Sequence, residues 1–316
     1  MAASALPSAT DPEIWTFGFG SNMNITLLRS KKGLNVLDST PGVLKEWRLS
    51  FQSRALPFVE PSFADARPGA LDDELHGVAV LLPGADYSRL AAQESAYDEA
   101  HVKIAAYDGR IISARVFTMR STPLEENAPD IPCSKRYLNV LVSGAREAGL
   151  REDYVTRLAA RPTYIPNTQT LANREAAFLA YPPTSLPQIS VAAFAAEWAP
   201  SPYGNAAVDA TVIRVAVAGY VFEVNGRAPF GAHRGRDITA RAGRQWRGEP
   251  LDFNDDRGCP PFITLKHRCD DEKDFILNFF DYYLSRGKIV GFIEEFKKEM
   301  DSETAGACNE IGSRKE

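Results

Sequence analysis

The chain has 316 residues, of which 44% are hydrophobic and 24% are charged. This is the composition of an ordinary globular protein, and it excludes a wholly disordered chain, a collagen and a coiled-coil rod. Lysine plus arginine number 36 and aspartate plus glutamate number 41, which gives a net charge of -5. Neither nucleic acid nor an anionic membrane surface is therefore an expected partner. At roughly 100–200 residues per domain, the length predicts two domains.

The cysteines and the chain ends indicate the compartment. The four cysteines are too sparse for a disulfide scaffold and none has CxxC spacing, so we expect reduced thiols in a cytoplasmic protein. No stretch approaches the ~18 apolar residues of a membrane span. Residues 1–13 lack the basic start and apolar core of a secretory signal and predict a disordered leader. The charged, small-residue-rich stretch 301–316 predicts a disordered tail.

Strand signals dominate the first 120 residues. The apolar run Ile14–Phe19 predicts a buried strand that leads into a glycine turn. Asn24 is placed to cap a helix over Ile25–Ser30, and Asp86 to cap a later helix that ends near Glu94. Further strands are predicted at Trp47–Phe51, Gly77–Leu82, Val102–Ala106 and Ile111–Thr118. The proline, alanine and glycine residues of the span Leu56–Asp73 predict an irregular loop.

Helical spacing and proline punctuation follow. Apolar residues recur at helical spacing from Tyr137 to Ala148, and Gly149 ends that helix. A second helix is predicted from Glu152 to Leu158. Residues 166–207 are rich in proline and carry aromatic residues that a free tether would expose, so we expect a packed linker there. Beyond it, a strand hairpin is predicted over Thr211–Val224 and an aromatic-rich helix over Phe275–Leu284.

A glycine loop is the first candidate site. Phe17–Asn22 lies between a predicted strand and a helix start, where backbone N–H groups point the same way and bind an anion or a developing oxyanion. Gly20 allows close approach, while Ser21 and Asn22 add side-chain donors. Taken alone, most such loops are only turns.

Glu94 and Tyr137 are the next candidates. Glu94 stands among apolar and small residues, and a partly buried carboxylate suits general acid–base chemistry. The alternative is a solvated acid at a helix end. Tyr137 heads an amphipathic helix, where the alternative role is a core aromatic.

Five elements in order resemble the gamma-glutamylcyclotransferase family over residues 14–165. They are the loop Phe17–Met23, the strand Leu44–Phe51, the strand His76–Val80, the acid in Gln93-Glu94, and the helix motif Ser134–Tyr137 with Ser143–Leu150. The resemblance implies an α+β fold in which a small closed mixed β-barrel carries flanking helices. The site would be a pocket at the mouth of the barrel.

The resemblance also implies an activity and a set of site residues. Glu94 would be the catalytic acid and base, so that a γ-glutamyl peptide or amino acid cyclises to 5-oxoproline, as in glutathione metabolism, without a metal. Phe19 stands where the family has a tyrosine, and His101 stands where it commonly has another, seven positions after the acid. The alternative is a non-catalytic scaffold or binding protein. The substrate-binding residues implied are Phe19, Gly20, Ser21, Asn22, Met23, His101 and Tyr137.

A second resemblance covers residues 208–296. Ile213–Val224, Pro229–Asp237 and Tyr283–Gly291 resemble cytochrome-b5-like domains of the membrane-associated progesterone receptor branch, which implies a second α+β domain over 208–300. In that branch a tyrosine ligates haem iron, and Phe230 in its place cannot coordinate iron. We therefore expect no haem and a module for packing, partner binding or homodimerisation. Ligation through His233 stays open as an alternative.

Overall fold

The computed structural model describes residues 12–95, 97–119, 128–196, 212–225, 235–248, 265, 268–298 and 300. The chain separates into two compact units, Met1–Tyr164 and Ile165–Glu316. Most of the leader predicted at 1–13 and all of the tail predicted at 301–316 lie outside the described residues. No helix within the described ranges is long and apolar enough to cross a membrane.

A closed five-stranded barrel forms the first unit, with strand order β1-β5-β2-β6-β7. β1 runs antiparallel to β5, and a parallel pairing of Thr16 with Arg115 on β7 closes the ring. The α+β class and the closed mixed barrel predicted for this region are thus confirmed. The strands are β1 (Glu13–Gly18), β2 (Asp38–Lys45), β3 (Trp47–Leu56), β4 (Glu60–Pro68), β5 (Glu74–Pro83), β6 (Tyr97–Ala106) and β7 (Ile111–Met119), of which β3 and β4 pair as a separate ribbon.

The loop predicted over Leu56–Asp73 is wrong, because most of it is β4, paired antiparallel with β3. Its polar residues hide the strand, since several of them face inward. Glu60 is 4% exposed and accepts hydrogen bonds from Ser134 and from Arg136 Nε, the latter at 2.6 Å. Buried Asp65 lies 2.5 Å from Arg67 Nε. Asp65 also accepts the Met119 N–H of β7 at 2.9 Å, so both buried carboxylates have partners outside the strand, which allow them to be buried.

Local caps set the limits of the helices, which are α1 (Ile25–Ser30), α2 (Gly84–Gln93), α3 (Lys135–Glu147) and α4 (Glu152–Ala159). Asn24 Oδ1 accepts the Leu27 N–H at 2.8 Å, so the predicted cap is confirmed. Gly149, at φ 71°, ends α3 as predicted. Asp86, however, lies inside the first turn of α2 and accepts the Asn35 N–H at 2.5 Å, so it does not cap that helix.

A buried histidine ties the barrel to α4. His76 on β5 is 1% exposed and stacks on Tyr154 at 4.5 Å between ring centroids. Its Nδ1 lies 2.5 Å from Tyr107 Oη. Burial lowers the pKa of His76, although Glu74, 3.5 Å from Nε2, acts in the opposite direction.

The second unit is a four-stranded sheet of order β8-β11-β10-β9 with helices beside it. The predicted hairpin is present, and its turn uses Ala218 at φ 50° and Gly219 at φ 81°. The span predicted as a linker contributes α5, whose Phe178 stacks on Tyr220 with centroids 5.6 Å apart, and it also contributes β8. The elements are α5 (Thr168–Ala180), β8 (Gln188–Ile189), α6 (Val191–Ala195), β9 (Val212–Val217), β10 (Tyr220–Asn225), α7 (Ile238–Trp246), α8 (Asp270–Leu284) and β11 (Gly287–Ile293).

A buried ion pair joins α5 to α8 in the second unit. Arg174 on α5 donates from Nε to Asp281 Oδ1 at 2.9 Å and from Nη2 to Oδ2 at 2.5 Å. Both side chains are buried, and burial raises the pKa of Asp281 even beside this cation. Phe230 and His233, on which the haem predictions depend, lie outside the described residues. The cytochrome-b5-like resemblance therefore stays a prediction.

Candidate active site

A cavity of about 60 Å³ lies where the chain leaves β1. The loop after β1, the residue that follows α2, and the first turn of α3 all reach it. Six of the predicted site residues line it together: Phe19, Gly20, Ser21, Asn22, Glu94 and Tyr137. The remaining lining residues are Phe17, Gly18, Ala64, Tyr97 and Phe117.

Glycine shapes the loop at two positions. A Cβ on Gly18 would stand 2.6 Å from the Asn22 carbonyl oxygen, so only glycine lets the loop fold back on the end of β1. A Cβ on Gly20 would point toward the cavity, 3.5 Å from Tyr137 Oη and 3.8 Å from Ala64 Cβ. Glycine there keeps the space beside the Tyr137 hydroxyl open. Met23 is 1% exposed and packs in the core, so it does not line the cavity.

Glu94 is held at the edge of the cavity by two donors. It directly follows α2, and its backbone N–H bonds back to Leu90 and Ala91. Its Oε1 accepts Asn22 Nδ2 at 3.1 Å and Lys32 Nζ at 3.2 Å. The side chain is 20% exposed. This is a half-buried, hydrogen-bonded carboxylate facing a cavity, and not the solvated helix-end acid of the alternative interpretation.

Tyr137 presents a neutral hydroxyl to the cavity. Its ring packs edge-on against Phe63 with centroids 5.0 Å apart, and its Oη accepts the Ala64 N–H at 3.3 Å. Burial raises the pKa of Tyr137 far above its ordinary value, so the group keeps its proton at neutral pH. A hydroxyl that accepts from the backbone still has its own O–H to donate.

The sequence interpretation missed two residues here and misplaced one. Tyr97, three positions after Glu94, lines the cavity, and burial together with the nearby Glu94 and Asp65 charges raises its pKa. Lys32 contacts both Asn22 and Glu94. His101 is exposed on β6 opposite Arg115 and does not line the cavity. The prediction that His101 binds substrate is therefore not supported by its position, whereas Tyr97 places a phenol at the cavity.

These groups together suit proton transfer to and from a small ligand. The Glu94 carboxylate lies at one side of the cavity. The phenols of Tyr97 and Tyr137 and the side-chain amide of Asn22 line the same space. Such a set can take a proton from an amine and donate hydrogen bonds to a carbonyl or carboxylate oxygen. Within the described ranges, no three His, Cys, Asp or Glu side chains are grouped so as to hold a metal ion.

Comparison with known proteins gives a family match inside the first unit and further matches that cover about half of the chain. Residues 74–158 match the model of the AIG2-like family. The chain is 27% identical over 181 residues to "Gamma-glutamyl cyclotransferase gliK" of Aspergillus fumigatus, covering 49% of this chain and 64% of that protein. It is 25% identical over 179 residues to "Gamma-glutamyl cyclotransferase aclK" of Aspergillus oryzae, covering 51% of this chain and 66% of that protein. The chain thus spans slightly less than two thirds of either relative.

Among solved structures, one titled "Gamma-glutamyl cyclotransferase" is 21% identical, with a TM-score of 0.41 over 49% of this chain and 92% of that one. The matched family model includes β5, Glu94, Tyr97 and Tyr137. The chain is thus similar to the AIG2-like family over residues 74–158, and to two curated proteins named gamma-glutamyl cyclotransferase over about half of its length.

Proposed function

We propose that this protein is a gamma-glutamylcyclotransferase that converts a small γ-glutamyl compound to 5-oxoproline and a free amine. The observation that carries the proposal is the position of Glu94, a half-buried carboxylate at a cavity formed by the Gly20–Asn22 loop and Tyr137. The names of the curated relatives support the same activity.

The proposed reaction needs one acid–base group and no added reactant. The α-amine of the γ-glutamyl group attacks the γ-carbonyl carbon, which forms the ring C–N bond, and Glu94 takes the proton that the amine loses. The bond to the leaving amine then breaks as Glu94 returns the proton to that nitrogen. Because nucleophile and electrophile lie in one molecule, the site contributes mainly orientation and proton transfer. No metal or cofactor is part of the proposal.

The other cavity residues have distinct proposed roles. The loop amides at Gly20 and Ser21 and the hydroxyls of Tyr97 and Tyr137 are donors for the glutamyl carboxylate and for the oxygen that becomes negative during attack. The rings of Phe17 and Phe19 form apolar walls. Phe19 contributes no hydroxyl, so the cavity's phenol groups come from Tyr97 and Tyr137.

The test is release of 5-oxoproline from a panel of γ-glutamyl dipeptides, glutathione and γ-glutamyl-lysine. We expect the full chain to release 5-oxoproline from at least one class. Glu94→Gln, which keeps the shape and removes the carboxylate, should lower turnover by roughly 10²–10⁴. Glu99→Gln, a nearby change at the exposed Arg115 ion pair, is the matched control and should keep activity.

A binding role is the contrary outcome of the same panel. Stoichiometric binding of a γ-glutamyl compound with no 5-oxoproline formed would rule out the proposed enzyme. Full turnover by Glu94→Gln would rule out Glu94 as its acid and base. For the second unit the proposal remains a cytochrome-b5-like module without haem, because Phe230 offers no ligand atom. The proposed location is the cytoplasm, which rests on the four sparse cysteines and the absence of CxxC spacing in the sequence.

A further inference from the structure

Lys32 links the glycine loop to Glu94. It lies two residues beyond the end of α1, and its side chain is 26% exposed. Its Nζ is 2.9 Å from Asn22 Oδ1 and 3.2 Å from Glu94 Oε1. Because Asn22 Nδ2 also reaches Glu94 Oε1, at 3.1 Å, the three side chains form a closed triangle of hydrogen bonds.

The triangle fixes which way the Asn22 amide points. A lysine ammonium has donors and no acceptor, so the Asn22 atom that faces it must be the carbonyl oxygen. The amide NH₂ then faces Glu94 and can donate to it. With the ammonium removed, the amide keeps only the Glu94 carboxylate as an orienting partner, and its oxygen loses the donor that holds it.

The triangle also distinguishes the two oxygens of Glu94. Both hydrogen bonds, from Asn22 and from Lys32, fall on Oε1. Among the described residues no hydrogen bond reaches Oε2, which leaves that oxygen to exchange a proton with a ligand in the cavity. A carboxylate held through one oxygen presents the other in a fixed place, and small displacements of such a group cost large factors in rate.

We infer that Lys32 is a positioning residue for the cyclisation, one that acts through Asn22 and Glu94 and does not itself contact the substrate. The inference rests on the proposed function. Lys32 holds Oε1 and orients the Asn22 amide, so that proton transfer takes place at Oε2. The Lys32 ammonium thus connects the Gly20–Asn22 loop to Glu94 through hydrogen bonds.

Three variants of the full chain test this role. Lys32→Met removes the ammonium while keeping the length of the side chain, and should lower kcat by roughly 10–100-fold with KM little changed. Lys32→Arg keeps a cation that can donate to both partners, and should restore much of kcat. Lys31→Met removes the same charge from the exposed neighbouring residue and is the matched control, with activity unchanged.

The split between kcat and KM decides between positioning and binding. An unchanged kcat in Lys32→Met overturns the inference. A raised KM with unchanged kcat overturns it too, because that result would mean that Lys32 binds substrate directly.

A spectroscopic readout separates this inference from the proposed function. The two side-chain N–H signals of Asn22 are followed by NMR without substrate, and they should shift in Lys32→Met and stay in place in Lys31→Met. Wild-type protein that releases no 5-oxoproline from any substrate removes the proposed function, and the positioning role with it. Active wild-type protein, with Asn22 signals and kcat both unaltered in Lys32→Met, removes the positioning role alone.

Discussion

Buried charges are arranged differently in the two units. Beside the cavity of the first unit, Glu94 and Lys32 form an ion pair whose side chains are 20% and 26% exposed. Inside the second unit, Asp281 and Arg174 form a pair whose side chains are 3% and 10% exposed. The first pair leaves a carboxylate oxygen next to open space, while the second uses both carboxylate oxygens within the pair. An ionisable pair is thus a candidate for chemistry when part of it still faces a cavity.

The largest expected effect concerns the second pair. Arg174→Met leaves Asp281 buried without its cation, which should lower the free energy of unfolding of the second unit by about 3–5 kcal/mol. Hydrogen exchange of α5 and α8 in the full chain measures the loss. Lys288→Met, which breaks an exposed pair with Glu223, is the control and should cost no more than about 1 kcal/mol.

A large loss of stability in Arg174→Met, without a loss of activity, would distinguish the structural pair Arg174–Asp281 from the pair Lys32–Glu94 at the cavity. We expect 5-oxoproline release to stay unchanged in Arg174→Met at temperatures where the chain remains folded. Equal exchange rates in Arg174→Met and Lys288→Met would mean that the buried pair contributes no more than the surface pair. The distinction between the two units would then fail.

A smaller effect is expected where the cavity needs empty space. Gly20→Ala places a methyl group 3.5 Å from Tyr137 Oη, an ordinary contact that the fold tolerates. The methyl occupies the space proposed for the glutamyl group, so kcat/KM should fall by about 10-fold or more. Gly144→Ala on α3 is the matched control, because its added methyl meets Asn24 Cβ at 3.6 Å and lies outside the cavity. Equal kcat/KM in the two variants would place the substrate elsewhere.

The smallest effect is a pH dependence of stability from His76. Burial lowers the pKa of His76 in the folded protein, so the unfolded chain binds this proton more readily. The stabilisation is complete above the unfolded value of about 6.5 and is lost as the pH falls toward the folded value. Stability of the first unit should therefore be lower at pH 5.5 than at pH 7.5, by at most about 1.4 kcal/mol for each pH unit below about 6.5 for this single group.

Burial, more than the charges that face His76, sets the direction of this effect. Glu74 and Asp153 favour its charged form, while burial and the Arg151 cation oppose it, and burial is the largest cause. His76→Phe keeps a ring against Tyr154 and cannot titrate. Urea titrations at the two pH values should show a smaller change for His76→Phe than for the wild type. An identical change in both proteins would assign the pH dependence to other groups.

What the sequence predicted correctly was encoded locally. Asn24 and Gly149 specify the ends of α1 and α3 within a few residues, and the Ala218-Gly219 turn sets a hairpin in the same way. The features that the sequence did not predict depend on contacts between residues distant in the chain. β4 was predicted as a loop from the proline, alanine and glycine of its span. In the fold, Arg136 on α3 pairs with buried Glu60, and the Met119 N–H on β7 donates to buried Asp65.

The candidate site shows the same division. The loop residues and Glu94 follow a local pattern that can be read along the chain, and six of the predicted residues meet at one cavity. Lys32 is 62 positions from Glu94, and no local pattern pairs the two. Tyr97 lies at the start of β6, and only the path of that strand shows that its ring, and not that of His101, faces the cavity.

The central claim is that an amine within the substrate, and not water, attacks the γ-glutamyl carbonyl. The most direct measurement is turnover of an active γ-glutamyl substrate in ¹⁸O-labelled water, with mass spectrometry of the products. If the substrate's amine attacks, we expect 5-oxoproline and the free amine in equal amounts, with no glutamate and no ¹⁸O in the ring carbonyl. Glutamate carrying ¹⁸O in its γ-carboxyl group would contradict it, because that product shows that the site hydrolyses the amide.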